Sequence, residues 1–591
     1  MSYEYSEDNL VEQTTEDLFY NRLGWDVSIA FNKETFGEFS THGRKTKKQV
    51  VLEKILLEKI KEFNPNLPEE AYKSALEVIL FDSSSKSSVV LNREKYNLIR
   101  DGVPVSFTDF NGQKVTDRKL KVIDFHNPLK NNFHAIRQLW IEGKAGRQRR
   151  PDIIGFVNGI PLLFIELKAV HQQLESAWSH NLADYKDVIP KLFHYNAFII
   201  LSNGIQGKIG SVTGHFRHFH EWKRINEEDE GIIGLDRIIM GICEKRRFLD
   251  LFENFIVFDE STGALLKIIA KNHQFIGVNR TLDSFSEKND LFKSGKIEKE
   301  SKQKLGVFWH TQGSGKSYSM LFLCQKIHRK FSDSFTFLIV TDRNELENQI
   351  YGTFTGSGAI SKTLGAGITT IRAESGEHLK NLLKQNHRYI FSLIHKFNFD
   401  GVITDRSNII VVSDEAHRTQ GGVLALNLRN ALPNASFIGF TGTPLFKHDE
   451  ITKRIFGEYV SKYDFRRSVI DGATVPLYYE NRGELLGISN PNISKQMQEI
   501  IDSEDDLDIN ERSKIEKLFQ KEYPVLTADK RLDAIAKDVV YHFFSRGYKG
   551  KGMFISLDKV TAVKMYNLIV KHKEKFEKEY EKTLIKGLYE D

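Results

Sequence analysis

Residues His310-Thr-Gln-Gly-Ser-Gly-Lys-Ser317 hold the side chains best suited to gripping a nucleoside triphosphate. Gly313 and Gly315, flanking Ser314, let the backbone turn tightly enough to aim amides and a helix's positive end at phosphate. Lys316 neutralises the terminal phosphates, and the Ser317 hydroxyl is a magnesium ligand. A full eight-residue phosphate loop begins with glycine where His310 stands, and short glycine motifs also arise as plain turns. A second element points the same way. The apolar run Ile409-Ile-Val-Val-Ser413 leads into Asp414-Glu415-Ala416-His417, so two carboxylates emerge where parallel strands present ligands. Asp414 is placed to hold magnesium and Glu415 to orient or deprotonate the attacking water; the bland alternative is an acidic loop after a strand. A third element, Thr441-Gly442-Thr443-Pro444, offers hydroxyls that report nucleotide state near the phosphates, or is a simple turn.

A separate constellation lies towards the amino terminus. Arg147-Gln-Arg-Arg-Pro-Asp152 opens an apolar run to Val157, and after Asn158-Gly159 the chain reads Pro161-Leu-Leu-Phe-Ile-Glu166-Leu167-Lys168. In a strand, residues two apart share a face, so Glu166 and Lys168 project together. An Asn-Gly hairpin then brings Asp152 beside Glu166. Two carboxylates at one spot bind a hard divalent ion that polarises a phosphodiester, while Lys168 stabilises developing negative charge. A surface ion pair is the plainer reading of the same three residues. The arrangement resembles PD(D/E)xK nucleases, and that resemblance makes Glu12 on the opening helix an extra ligand or water-holder, against its plain reading as an exposed helix acid. The basic run Lys144 to Arg150 meets DNA phosphates or is a solvated loop. His215, His218 and His220 lack a fourth zinc ligand of obvious type, and interleaved Phe216 and Phe219 favour packing.

The elements that must carry these groups follow from periodicity. Leu10, Val11, Leu18 and Phe19 recur at roughly helical spacing before Gly24-Trp25 stops the helix, and a second helical stretch runs from about Lys48 to Phe63. From Lys119 to Val170 the pattern is short strands. Further on, Leu305 to Trp309, Thr336 to Val340, Tyr389 to Leu393, Ile409 to Ser413 and Ser436 to Phe440 are short apolar runs separated by longer segments, which predicts a parallel sheet flanked by helices. Asp502 to Asp508 reads as a solvated loop, and Lys551-Gly-Met-Phe-Ile-Ser556 opens another α/β pattern.

A chain of 591 residues exceeds one ordinary core, so several domains are expected. No apolar run approaches a membrane span, which excludes a membrane role, and the acidic start is unlike a signal peptide. Cys243 and Cys324 stand alone, against a disulfide framework, and a reducing cytoplasm fits. With 84 basic against 79 acidic residues, any nucleic-acid contact must be local.

In this order, the nucleotide-binding elements resemble superfamily 2 helicases and translocases. That resemblance assigns Gln274, in Lys271-Asn-His-Gln-Phe275, as an adenine reader rather than a helix surface residue. It also implies that Thr341-Asp-Arg343 leads toward the nucleic acid and that Met553 to Ser556 is the first strand of a second motor lobe. The whole chain is similar to the R subunit of type I restriction endonucleases. Arg147 to Asp152, Phe164-Ile-Glu-Leu-Lys168, Trp309 to Ser317, Asp414-Glu-Ala-His-Arg418 and Asp471-Gly-Ala-Thr-Val475 carry the likeness, and His310 ceases to be an anomaly within it. A family glutamine-to-tyrosine element falls on Asn181 and Tyr185, with asparagine a departure.

The resemblance implies a multidomain α/β chain: a nuclease-like domain over 1–250, a first RecA-like motor domain over 251–467 and a partial second over 468–591. It implies ATP and Mg2+ as cofactors, with Asp152, Glu166, Ser317 and Asp414 as metal ligands. Double-stranded DNA, a methyltransferase (M) subunit that binds AdoMet and a specificity (S) subunit are the implied partners. The expected activity is ATP-driven DNA translocation with cleavage away from the recognition site. Because arginine-bearing motifs of a second lobe are not found before Asp591, truncation is expected. Two alternatives remain: an ATP- and DNA-binding fragment without turnover, and a repair helicase whose amino-terminal domain only clamps DNA.

Overall fold

The computed structural model describes residues 7–37, 40–331, 334–360, 371–398, 401–414, 423–443, 449–480, 526–546 and 550–588. The chain forms two compact units, Met1–Val475 and Pro476–Asp591.

The first unit holds two large sheets. Seven strands form the amino-terminal one in simple chain order: β1 (Asp26–Ile29), β2 (Phe133–Arg137), β3 (Ile153–Val157), β4 (Ile160–Leu167), β5 (Phe198–Ser202), β6 (Gly207–Gly210) and β7 (His220–Glu221). β1 with β2 and β4 with β5 are parallel, and the other neighbours are antiparallel. Every residue of β3 and β4 is buried, so these strands show no polar alternation; both faces are covered. On one face Trp25, Phe133 and Phe198 pack around Phe248 of the helix Lys245–Asn254. On the other, Phe164 meets Tyr185 and Phe193.

The hairpin predicted at Asn158-Gly159 is present, but it is an interior turn. Both residues have positive φ, 51° and 79°, as a type I′ turn demands. Asn158 is fully buried, donating to the Val122 carbonyl and accepting the Asn132 amide. A Cβ on Gly159 would lie 2.5 Å from the Leu52 carbonyl oxygen, which accepts the Leu56 amide at the start of the helix Glu53–Phe63. Gly159→Ala is therefore expected to destabilise the unit by about 2–4 kcal/mol, read as a lower urea midpoint at unchanged m value.

The second sheet is wholly parallel. Its strands are β8 (Lys304–His310), β9 (Thr336–Thr341), β10 (Tyr389–Leu393), β11 (Ile409–Ser413), β12 (Ser436–Thr441) and β13 (Tyr459–Tyr463), in spatial order β10-β9-β11-β12-β8-β13. The five apolar runs picked out by periodicity are the five fully or mostly buried strands. The apolar pattern does not reveal β13 because it is an edge strand with an exposed Lys462 and only two buried residues, one of them Ser461. Parallel strands put all carboxyl ends at one edge, so the segments after β8, β11 and β12 face one another.

Other expectations need adjustment. The opening helix is α-helical over Glu7–Asp17 and widens to a π-helix over Leu18–Arg22, and the second helix begins at Glu53 rather than near Lys48. Two long helices, Glu69–Leu80 and Ser88–Asp101, fill the interval that follows.

In the second unit the helices Asp529–Ser545 and Lys559–Leu588 pack through Leu532, Ala536 and Met565. The strand expected at Met553 to Ser556 is not formed. That segment has no regular structure, with Met553 85% and Ile555 79% exposed. An apolar run becomes a strand only when a neighbour satisfies its backbone groups, and none of the described residues supplies one. Asp502 to Asp508 lies outside the described residues.

Candidate functional site

The amino-terminal site forms at the open end of the β3–β4 hairpin. Ile153 pairs with Ile165, so Asp152, one residue earlier, stands opposite Glu166. Asp152 Oδ2 accepts the Leu167 amide at 2.6 Å, which pins the carboxylate across the hairpin. Glu166 is 1% exposed; its Oε1 receives Lys168 Nζ at 3.4 Å and the amide of Asn181. Asn181 sits in a π-helical turn, Ala177–Leu182, and Tyr185 follows on the next helical segment, where its hydroxyl donates to the Arg150 carbonyl at 3.3 Å. Glu12 is buried rather than exposed. It accepts Arg137 Nε at 2.6 Å and both its oxygens accept Gln138 Nε2, so it faces the site as a clamped acid.

Electrostatics mark this spot as strained when no cation is bound. Burial pushes Glu166 up to about 7, against the opposing pull of Lys168 and the Asn181 hydrogen bond. Burial, then the charges of Glu166 and Glu12, lift Asp152 well above the carboxylate range. Glu166 Oε2 is buried with no hydrogen-bond partner. An orphaned carboxylate oxygen beside a second buried carboxylate is a fit for a divalent cation with oxygen ligands, which would supply the missing countercharge. No group of three or more His, Cys, Asp or Glu side chains among the described residues forms a ready metal cage, so Asp152 and Glu166 are the available pair.

The raised carboxyl has a stability consequence with a definite sign. Between pH 4.5, the ordinary glutamate value, and about 7, the folded chain keeps a proton that the unfolded chain has lost, so stability falls as pH rises through this window. Glu166→Gln is expected to unfold at higher temperature than the parent at pH 8 in EDTA, by on the order of 2 kcal/mol, and the gain should vanish near pH 4. Equal melting shifts at both pH values would count against the charge as cause.

At the carboxyl edge of the second sheet, β8 ends at His310 and the loop turns through Gly313 and Gly315, with left-handed φ of 79° and 88°, into the helix Lys316–Lys330. Ser314 is buried, and Ser317 occupies the second position of that helix. Lys316 Nζ reaches the His310 carbonyl at 3.2 Å. Asp414 follows β11 directly, is 6% exposed, and its amide bonds the Val340 carbonyl at 2.9 Å. Thr441 ends β12 and its hydroxyl accepts the Thr443 amide at 3.3 Å. A Cβ on Gly442 would stand 3.0 Å from Lys316 Nζ, so this turn lies directly over the loop lysine. Gln274 caps its own helix through the Lys271 amide and donates to the Gly315 carbonyl at 2.9 Å. The structure thus brings Gln274, Lys316 and the Thr441–Thr443 turn around the loop, with Asp414 on a neighbouring strand end. Glu415, with Ala416, His417 and Arg418, lies outside the described residues, as does Pro444.

Two family descriptions match the chain: type I restriction enzyme R protein N terminus over residues 4–218, and SWI2/SNF2 ATPase over residues 273–510. The type I restriction enzyme HindI endonuclease subunit of Haemophilus influenzae is 34% identical across 95% of this chain and 54% of its own length. Along nearly its whole length the chain is similar to type I restriction enzyme endonuclease subunits. A Methanocaldococcus jannaschii relative, named as the MjaIXP endonuclease subunit, is 31% identical over 97% of this chain and 55% of its own length. The chain spans about half the length of these curated relatives.

Several side chains near the carboxylates carried no sequence signal. Arg137 ends β2 and Gln138 follows it, far from Glu12 in the chain, and Gln138 has φ +55° with its amide on the Asp152 carbonyl. The basic run is largely neutralised: Lys144 and Arg147 pair with Asp187, and Arg149 pairs with Asp184. Only Arg150 of that run stacks instead, on Phe31 and Trp140. His310 is fully buried, its Nε2 on Ser461 at 2.8 Å and its ring near His273 and Tyr463, which gives a packing reason for histidine at the loop's first position. Phe219 of the histidine-rich segment packs into the core. Thr341 closes β9 and Arg343 pairs with neighbouring Asp342. No helix among the described residues is long and apolar enough to cross a membrane.

Proposed function

We propose that this chain carries the nuclease and motor functions of a restriction subunit that hydrolyses ATP to translocate double-stranded DNA and cuts it away from the recognition site. The observation that carries the reading is the presence, in one compact unit, of two desolvated carboxylates, Asp152 and Glu166, beside Lys168, and of a phosphate loop at the same sheet edge as Asp414. In this reading Lys316 binds the terminal phosphates, Gln274 reads the base, and Ser317 and Asp414 hold magnesium. Ser314 and the two loop glycines shape the cradle, Glu415 positions the attacking water, and Thr441 and Thr443 sense the phosphates. At the second site Asp152 and Glu166 hold magnesium, Lys168 stabilises negative charge on the phosphodiester, and Glu12 and Tyr185 fix the carboxylates in place. A bound magnesium ion supplies Lewis-acid polarisation and acidifies water.

The division of labour runs over 1–250 for the nuclease, 251–467 for the first motor domain and 468–591 for part of a second. The subunit works with methyltransferase (M) and specificity (S) subunits in the cytoplasm, which places sequence recognition outside this chain. The test is plasmid cleavage by the assembled complex with ATP or magnesium withheld in turn. Cleavage is expected only when both are present; full-rate cutting without ATP would remove the motor from the reaction.

A further inference from the structure

A cleft of about 640 Å³ lies away from the carboxylate site and adjoins the nucleotide loop through His273, whose ring meets the Ser314 carbonyl; it is bounded by β6 and β7, the strand Leu266–Ile269, the start of the helix Asn272–Lys293 and residues 470–473. Its two acids are already engaged: Glu221 and Asp471 both pair with Lys223, and Asp471 also meets Arg224. Lys267 turns its ammonium away from the cleft, to Asn92 and Asn196 in the core. Lys208, Arg217 and Lys271 are left on the walls with no carboxylate within ion-pair distance among the described residues. Lys208 lies 4.9 Å above the Phe216 ring, and the exposed Arg217 bonds only to the neighbouring His218 ring. Lys271 caps a 22-residue helix whose positive end opens into the same space. His220 lines the cleft with Nε2 buried and unpartnered. Burial, then Lys271 and Lys208, hold that ring neutral down to about pH 3.

Three uncompensated cations and a helix amino terminus call for an anion. The cations sit on separate elements along an open wall rather than around one point, which suits a chain of phosphates better than a single one. We propose that this cleft binds the phosphodiester backbone of DNA, holding one segment against both the nuclease sheet and the motor sheet. The inference rests on the DNA substrate proposed above, but not on cleavage or hydrolysis.

The test uses the assembled complex, a fluorescent duplex without the recognition sequence, and a series of potassium chloride concentrations. The double variant Lys208→Gln with Arg217→Gln is expected to bind about tenfold more weakly near 150 mM salt and to flatten the log–log salt slope by roughly 2, about 0.9 per lost contact. Lys208→Arg with Arg217→Lys should bind as the parent does, which separates charge from folding damage. Unchanged affinity and slope in the glutamine pair would overturn the proposal. So would a loss confined to a fluorescent ATP analogue or to inorganic phosphate, because the cleft would then serve small phosphates. A complex that neither cuts nor hydrolyses ATP yet shows the slope change would fail the function proposed above and leave this inference standing.

Discussion

Lys316→Ala in the assembled complex is expected to lower DNA-stimulated phosphate release on the order of 10³-fold and to remove ATP-dependent cleavage with it. The expectation follows from position. Lys316 is the first residue of its helix, directly follows the left-handed Gly315, and lies under the Gly442 turn. Its charge is therefore delivered where loop amides and the helix dipole already favour phosphate. A steady-state phosphate-release assay with and without DNA reads the effect. A residual rate within tenfold of the parent would show that the loop does not hold the transferred phosphate.

Glu166→Ala should show the reverse pattern: DNA cutting reduced on the order of 10³-fold, the rate equivalent of about 4 kcal/mol, with ATP hydrolysis within twofold of the parent. Glu166 is buried on a strand of the first sheet, whereas the phosphate loop belongs to the second, so the substitution leaves nothing in the loop unpaired. Removing a carboxylate that burial holds up to about 7 also relieves strain at neutral pH, so a folding defect is not the expected route to lost cleavage. Plasmid cleavage and phosphate release measured on one preparation give the comparison. Equal loss of both activities would argue for a single coupled site and against two separate ones.

The difference between these two predictions reflects how the sites were legible. The phosphate loop is contiguous, so spacing alone put Gly313, Gly315, Lys316 and Ser317 in register, and the apolar runs before Asp414 and Thr441 gave the strands that present them. The hairpin turn was equally local, since Asn158-Gly159 dictates it, but a bulge between Gly155 and Phe156 shifts the register by one residue and so sets Asp152 opposite Glu166. Residues whose roles depend on distant chain were not legible. Gln138 adopts a left-handed φ with no glycine to announce it, and its grip on Glu12 spans 126 residues of sequence. The half-polar edge strand β13 gave no apolar run to detect. The opposite failure occurred at Met553 to Ser556, where a strand-like pattern found no neighbour to pair with.

Sequence by itself determined the chemistry available to this protein: which carboxylates, lysines and hydroxyls occur at short spacings, and which runs must be buried strands. Backbone sterics and the two-residue strand period act over a few residues, so they are written locally. Only the tertiary structure decided how those groups behave. Burial turned Glu166 and Asp152 into carboxylates that resist ionisation, made Glu12 a clamped interior acid, and paired most of the basic run with Asp184 and Asp187. It also left Lys208, Arg217 and Lys271 along one cleft without countercharge. Desolvation and charge pairing depend on what packs around a group, and that is settled when distant elements meet.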